Sequence, residues 1–218
     1  MISRQLMLVQ KLDISKISAM RKWIKKLLSL FSEETETVNF KKKAIRKEIR
    51  ELKKFFPTAE KQIAGNSVFE KIETFTEFKN AYTILIYWAI PDELPTQETI
   101  KRWCVDKQIL LPSIDGNRLV LKRYSPDGQL TQKTLGIWEP DLSENYEGNV
   151  DLVIVPGIAF DHDRNRLGRG KGYYDRFFKK YKPIKVGVGF DFQLKDSIPI
   201  ARHDIKMDKI VTPSTTIE

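Results

Sequence analysis

Between Arg166 and Gly172 the sequence reads Arg-Leu-Gly-Arg-Gly-Lys-Gly, three glycines alternating with cationic residues. Glycine at 168, 170 and 172 lets backbone N–H groups approach a bulky anion, and Arg166, Arg169 and Lys171 add fixed positive charge. A helix starting near Gly172 would aim its unsatisfied N–H groups at the same place. The chemistry this suits is phosphate binding. No Ser or Thr follows Lys171 and the glycines lack dinucleotide-binding spacing, so neither familiar nucleotide loop is present. By composition alone, a solvated surface turn is the competing reading.

Other reactive groups are scarce. The single cysteine, Cys104, has no partner for an intramolecular disulfide, and two histidines, His162 and His203, cannot build a zinc site of the Cys/His kind. His162, between Asp161 and Asp163, reads as a solvated loop residue. With 218 residues, 41% hydrophobic and 31% charged, the chain has the composition of a soluble globular protein. Disordered, fibrous, collagenous and disulfide-stapled classes are excluded. The formal charge is +9, but residues 1–56 carry 15 Lys plus Arg against 6 Asp plus Glu, which leaves 23 of each sign in the remainder. A neutral main body makes the basic pI weak evidence for a polyanionic partner, and no nucleic acid is expected. With neither a secretory signal nor an apolar run of membrane-spanning length, a cytoplasmic location is expected.

The body that must hold the glycine-rich loop reads as alternating helices and strands. Ile14, Ile17, Met20, Ile24, Leu27, Leu28 and Phe31 have the spacing of a basic amphipathic helix, which can lie on an anionic membrane, dock on a partner or cover its own protein. A polar, acidic linker, Ser32 to Thr37, follows. Residues 1–38 are read as an extension and 39–218 as the main domain. Ile45, Ile49, Leu52 and Phe56 predict a helix from about Phe40 to Phe55, stopped by Pro57. Thr58 is placed to cap a third helix carrying Ile63, Phe69, Ile72 and Phe75. Ala81 to Ile90 is continuous, β-branched and aromatic, which predicts a buried strand. Pro91 to Pro95 is a turn, and Thr96 can cap a helix through Lys107. Strands are predicted at Ile109–Pro112, Arg118–Tyr124, Asp151–Val155, Ile184–Phe190 and Lys209–Thr212. A long polar loop follows Val155, then a helix from about Gly172 to Tyr181.

This alternation predicts an α/β fold: a single three-layer α/β/α domain with a mainly parallel central sheet, plus an N-terminal helical extension. In such sheets ligands bind beyond the carboxyl ends of the strands. That singles out the turn at Pro91–Pro95, the loop after Val155 and the stretch at Phe190-Asp191.

The string Asn165-Arg166-Leu167-Gly168-Arg169-Gly170-Lys171-Gly172-Tyr173-Tyr174-Asp175, preceded by Pro156-Gly157 and Phe160-Asp161, resembles the signature of the 5-formyltetrahydrofolate cyclo-ligases, or methenyltetrahydrofolate synthetases. The resemblance runs over roughly Phe40 to Pro213 and implies that residues 39–218 are a cyclo-ligase-like catalytic domain. It implies ATP- and magnesium-dependent cyclisation of 5-formyltetrahydrofolate to 5,10-methenyltetrahydrofolate, with release of ADP and phosphate through a phosphorylated formyl intermediate. By the same resemblance Lys42 and Arg46, a Lys-x-x-x-Arg pair, serve the ATP phosphates together with Arg166 to Tyr173: Arg166, Leu167, Gly168, Arg169, Gly170, Lys171, Gly172 and Tyr173. Arg169 and Lys171 carry the catalytic charge stabilisation. Glu93 and Tyr173 contact the folate, while Trp88 and Trp138 are candidates to stack on its rings, ordinary core being the other reading. Asp175 and Asp204 are the implied Mg²⁺ ligands, a set that suits a hard cation completed by phosphate oxygens and water. The expected partners are 5-formyltetrahydrofolate, polyglutamylated or not, and ATP, acting on a monomer. A binding protein that has exchanged catalysis for RNA contacts, and a sugar-phosphate isomerase using the same cradle without ATP, are the alternatives.

Overall fold

In a computed structural model of the chain the described residues are 35–132, 138–140 and 144–218. Two units are distinguished, Met1–Lys41 and Lys42–Glu218. Of the first, residues 35–41 are described and helical. The amphipathic segment Ile14 to Phe31 lies outside the described residues. The predicted linker is helical where described, at 35–37, since it contains neither glycine nor proline to interrupt a helix.

The second unit opens with helix α1 (residues 42–54), α2 (Thr58–Thr74) and α3 (Thr76–Asn80). Strand β1 (Thr83–Leu85), helix α4 (Gln97–Trp103) and strands β2 (Gln108–Asp115) and β3 (Arg118–Arg123) follow. Then come β4 (Leu130–Gln132), β5 (Trp138–Pro140), β6 (Leu152–Pro156), β7 (Ala159–Asp161) and β8 (Arg166–Leu167). The chain finishes with α5 (Tyr173–Lys180), β9 (Ile184–Val188), a 3-10 turn at Asp191–Gln193, β10 (Leu194–Lys195), β11 (Lys209–Val211) and β12 (Thr216–Ile217).

The main sheet has the order β12-β11-β9-β6-β1-β2-β3. Its five inner strands are parallel, and antiparallel β3 and β12 close the edges. Alternation along each strand splits the core between two faces. Ile84, Ile109, Leu111, Leu152 and Ile154 pack with Val68, Phe69 and Ile72 of α2 and Ile100 of α4. Leu85, Leu110, Val153 and Val155 pack with Phe177 and Phe178 of α5. This is the predicted three-layer α/β/α arrangement.

Several local expectations are corrected. The strand predicted over Ala81–Ile90 is regular only at Thr83–Leu85; Ile86 N still donates to Leu110 O of β2 (3.0 Å), and beyond it the backbone of Tyr87 and Ala89 finds side chains instead of a neighbouring strand. Thr96 Oγ1 donates to Tyr87 O (2.8 Å) and accepts from Ala89 N (3.0 Å), while Gln97 Nε2 donates to Ala89 O (2.8 Å). Thr96 therefore does not cap α4 with its side chain, and α4 ends at Trp103 rather than Lys107. Thr58 does not cap α2 either, for it lies inside the helix behind Pro57, and Ile63 is exposed while Ala64, Val68, Phe69 and Ile72 form the buried stripe. The long polar loop after Val155 contains the hairpin β7–β8, joined by β10 into a small separate sheet.

Candidate active site

Chain order places the site before any side chain is considered. From β1 the chain builds toward β2 and β3, whereas β6, β9 and β11 are added on the other side of β1. The direction of winding thus switches between β1 and β6, and the crevice beyond the carboxyl ends of two such strands is where ligands bind in open parallel sheets. The segment after β1 carries Asp92 and Glu93, and the segment after β6 carries the glycine-rich loop.

The first segment is pinned by its own side chains. Glu93 N donates to Ile90 O (3.0 Å), and the Glu93 carboxylate accepts from Ile90 N (3.3 Å). Tyr87 Oη donates to Leu94 O (3.0 Å). The second segment is held by Asp161, 1% exposed, whose carboxylate accepts from the N–H groups of Asp163 (3.1 Å), Asn165 (2.9 Å) and Ile198 (3.0 Å) and from Asn165 Nδ2 (2.9 Å). Phe160 packs its ring where a Cβ on Gly157 would lie, 2.4 Å from the nearest ring carbon. His162 is exposed at the hairpin tip, as expected. Past Leu167 the chain needs left-handed backbone at Gly170 (φ 101°) and Gly172 (φ 67°), the latter immediately before α5.

Across the crevice these segments meet. Arg169 Nη2 donates to Asp92 Oδ1 (2.7 Å) and Glu93 Oε1 (3.1 Å). Burial pushes the Glu93 carboxyl above its ordinary value, with Arg169 opposing and Asp92 adding to the rise. From α1, Arg46 Nε donates to Gly168 O (2.9 Å). Lys42 of the same helix is buried and ion-paired with Asp204. Asp204 also accepts from Ala201 N (2.7 Å), and Asp175 accepts from Ile205 N (3.4 Å) and pairs with Arg166 (3.3 Å). Two aspartates far apart in sequence are so brought to one neighbourhood, each already matched by a cation. As donors they fit a hard divalent ion that takes one or two carboxylates and completes its shell with phosphate oxygens. Among the described residues no group of three or more His, Cys, Asp or Glu could hold a metal by protein ligands alone.

A cavity of about 160 Å³ opens here, lined by Arg46, Arg50, Lys53, Asp92, Ile158 and Arg169. Lys171 is exposed and unpaired among the described residues. Tyr173 lies under the Arg176 guanidinium, 5.2 Å from ring centre to Cζ. Other candidates are placed less directly. Leu167 is 2% exposed and packs with Ile49, Ile158, Ala159 and Ile198, so only its backbone is available to a ligand. Arg166 donates to Pro156 O (3.1 Å) and pairs with Asp175, while its buried Nε has no hydrogen-bond partner among the described residues. Trp88 packs against the core beside Tyr124, and Trp138 sits on β5; neither lines the cavity. Arg50, Lys53 and Asp92 were not singled out by sequence reasoning, although Lys42, Arg46, Arg50 and Lys53 have the spacing of one helical stripe.

The model of the 5-formyltetrahydrofolate cyclo-ligase family matches residues 38–213. The Escherichia coli K12 5-formyltetrahydrofolate cyclo-ligase is 32% identical over 181 residues, covering 78% of this chain and 99% of the relative. The mouse protein of the same name is 28% identical over 192 residues, covering 80% and 95%. The NMR structure of the Aquifex aeolicus 5,10-methenyltetrahydrofolate synthetase superposes with a TM-score of 0.73 at 32% identity, covering 81% of this chain and 92% of that one.

Proposed function

Because the chain belongs to the 5-formyltetrahydrofolate cyclo-ligase family, we propose that it closes 5-formyltetrahydrofolate into 5,10-methenyltetrahydrofolate at the expense of ATP, with Mg²⁺ as cofactor. The observation that carries this reading is the meeting of Arg169 with Asp92 and Glu93 at the switch point, across a cavity from Arg46.

The reaction explains why such residues are needed. Ring closure requires N10 to attack a formamide carbon and expel its oxygen, a poor leaving group. Transfer of the γ-phosphoryl group to the formyl oxygen releases ADP and makes that oxygen part of a good leaving group. N10 then bonds to the formyl carbon and gives up its proton, and inorganic phosphate departs with the formyl oxygen as the methenyl bridge forms. Catalysis is therefore positioning and charge stabilisation, with no nucleophilic side chain required. Glu93, at the end of the β1 segment, orients the folate. Arg46, Arg169 and Lys171 neutralise charge on the phosphates, and Gly168 and Gly170 admit them close to the backbone. Asp175 and Asp204 would hold Mg²⁺, which supplies charge neutralisation on the nucleotide oxygens. No helix among the described residues is long and apolar enough to cross a membrane.

The test is near-ultraviolet absorbance of the purified protein with 5-formyltetrahydrofolate, ATP and Mg²⁺, omitting each in turn, since the methenyl product is a conjugated chromophore. A band that grows only in the complete mixture establishes the reaction. Folded protein that gives no band overturns the assignment, and a band without ATP removes the phosphorylated intermediate.

A further inference from the structure

Helix α1 turns one cationic stripe, Lys42, Arg46, Arg50 and Lys53, toward the crevice loops, and the four side chains have unequal commitments. Lys42 is ion-paired with Asp204 and Arg46 donates to Gly168 O. Arg50 and Lys53 reach the cavity instead. Lys53 stands out because its side chain is only 4% exposed, although an ammonium removed from water needs close partners. Its ion-pair partner among the described residues is Asp92, at 3.7 Å, beyond ordinary hydrogen-bond length. Asp92 is shared, for its other oxygen takes Arg169 at 2.7 Å. A buried cation with half of a distant carboxylate has most of its hydrogen-bonding capacity left over, and what it faces is the cavity.

The charge balance of that cavity indicates what it admits. Arg46, Arg50, Lys53 and Arg169 stand against one carboxylate, Asp92. About 160 Å³ is ample for a phosphoryl group. One wall is the Arg169–Asp92 contact, with Glu93 next in sequence, and the other is α1, so the space lies between the parts assigned to folate and to nucleotide. We infer that Lys53 is a further catalytic residue of this site, facing the phosphoryl group as it passes from nucleotide to formyl oxygen; the inference rests on the cyclo-ligase reading. A fixed, desolvated ammonium acts most strongly where charge accumulates on the equatorial oxygens during transfer. Burial pulls its pKa below that of an ordinary lysine, while Asp92 and Glu93 oppose the fall, so an anion entering the cavity would complete a partly compensated charge.

The experiment is steady-state kinetics of Lys53→Met, which keeps most of the aliphatic stem and removes the charge, alongside wild type in the methenyl absorbance assay. Asp92 keeps Arg169 in the variant, and thermal melting reports whether the fold survives. The expected result is a fall in kcat of about a hundredfold, the scale for removing one preorganised charge-stabilising donor, with KM for ATP and for 5-formyltetrahydrofolate each moving by less than threefold. A folded variant with wild-type kcat overturns the inference, as does one whose loss lies wholly in KM for either substrate. If Lys53→Met melts too low to assay, Lys53→Gln, whose amide still donates toward Asp92, carries the same test. Failure of both to fold assigns Lys53 a purely structural role and overturns the inference. Wild-type protein that forms no methenyl band sinks the cyclo-ligase reading itself, a result distinct from an active wild type with an unaffected variant.

Discussion

Arg169 bonds two carboxylates on the far side of the crevice, so its charge is compensated before any substrate arrives. An incoming phosphate must take over this guanidinium, and Lys171, exposed and without a partner among the described residues, is placed to join it. Arg169→Ala or Lys171→Ala should each lower kcat by about 10²–10³, with melting temperature within a few degrees of wild type; unchanged turnover would remove that residue from the mechanism. Glu93 makes a pH prediction. Burial holds its carboxyl above the ordinary value of 4.5, with Arg169 opposing and Asp92 reinforcing. The folded protein therefore retains a proton that the unfolded chain has released, and the associated stability is full below the unfolded pKa and lost as pH rises through the folded one. Glu93→Gln cannot lose that proton. Denaturant unfolding at pH values from about 4.5 upward should show wild type losing stability relative to the variant, whereas a pH-independent difference would mean that Glu93 does not titrate in this window.

At the scale of elements, the positions of the central strands were legible because continuous apolar, β-branched runs report burial on a sheet covered on both faces. Less legible was where pairing stops. Ala81 to Ile90 is uniformly apolar and gives no mark at Leu85, since the ladder ends when Thr96 and Gln97 supply hydrogen bonds from beyond the turn. The hairpin β7–β8 was hidden in a polar sequence because its organiser is a buried aspartate, Asp161, and not an apolar stripe. The glycine-rich loop could be read from residue types alone, whereas Lys53 could not: on α1 it looks like one more solvated charge until the Asp92 turn is folded over it. Gly157 tests the packing under this loop. A Cβ there would meet the Phe160 ring at 2.4 Å, so Gly157→Ala should cost about 1–3 kcal/mol of stability, the range for overpacking a core. Chemical denaturation measures it, and a neutral result would show that the ring can move aside.

For the whole molecule, charge is divided unevenly. The surplus lies in residues 1–56, of which α1 contributes the stripe facing the crevice. The family match begins at residue 38, so a chain lacking residues 1–38 should keep turnover close to that of the full chain in the methenyl assay; a soluble but inactive truncation would tie the extension to the site. The crevice itself is a product of winding order, because β1 and β6 become neighbours only after β2 and β3 have been placed on the other side.

The ion pair between Lys42 and Asp204 spans 162 positions of chain. During synthesis at about 5–20 residues per second, roughly 8–30 s separate the appearance of the two partners. At the start of that interval none of the crevice partners of α1 has yet been synthesised. The nascent chain thus acquires its acidic turn, its glycine-rich loop and its last aspartate in that order, and the phosphate site closes only when the carboxyl-terminal segment has emerged.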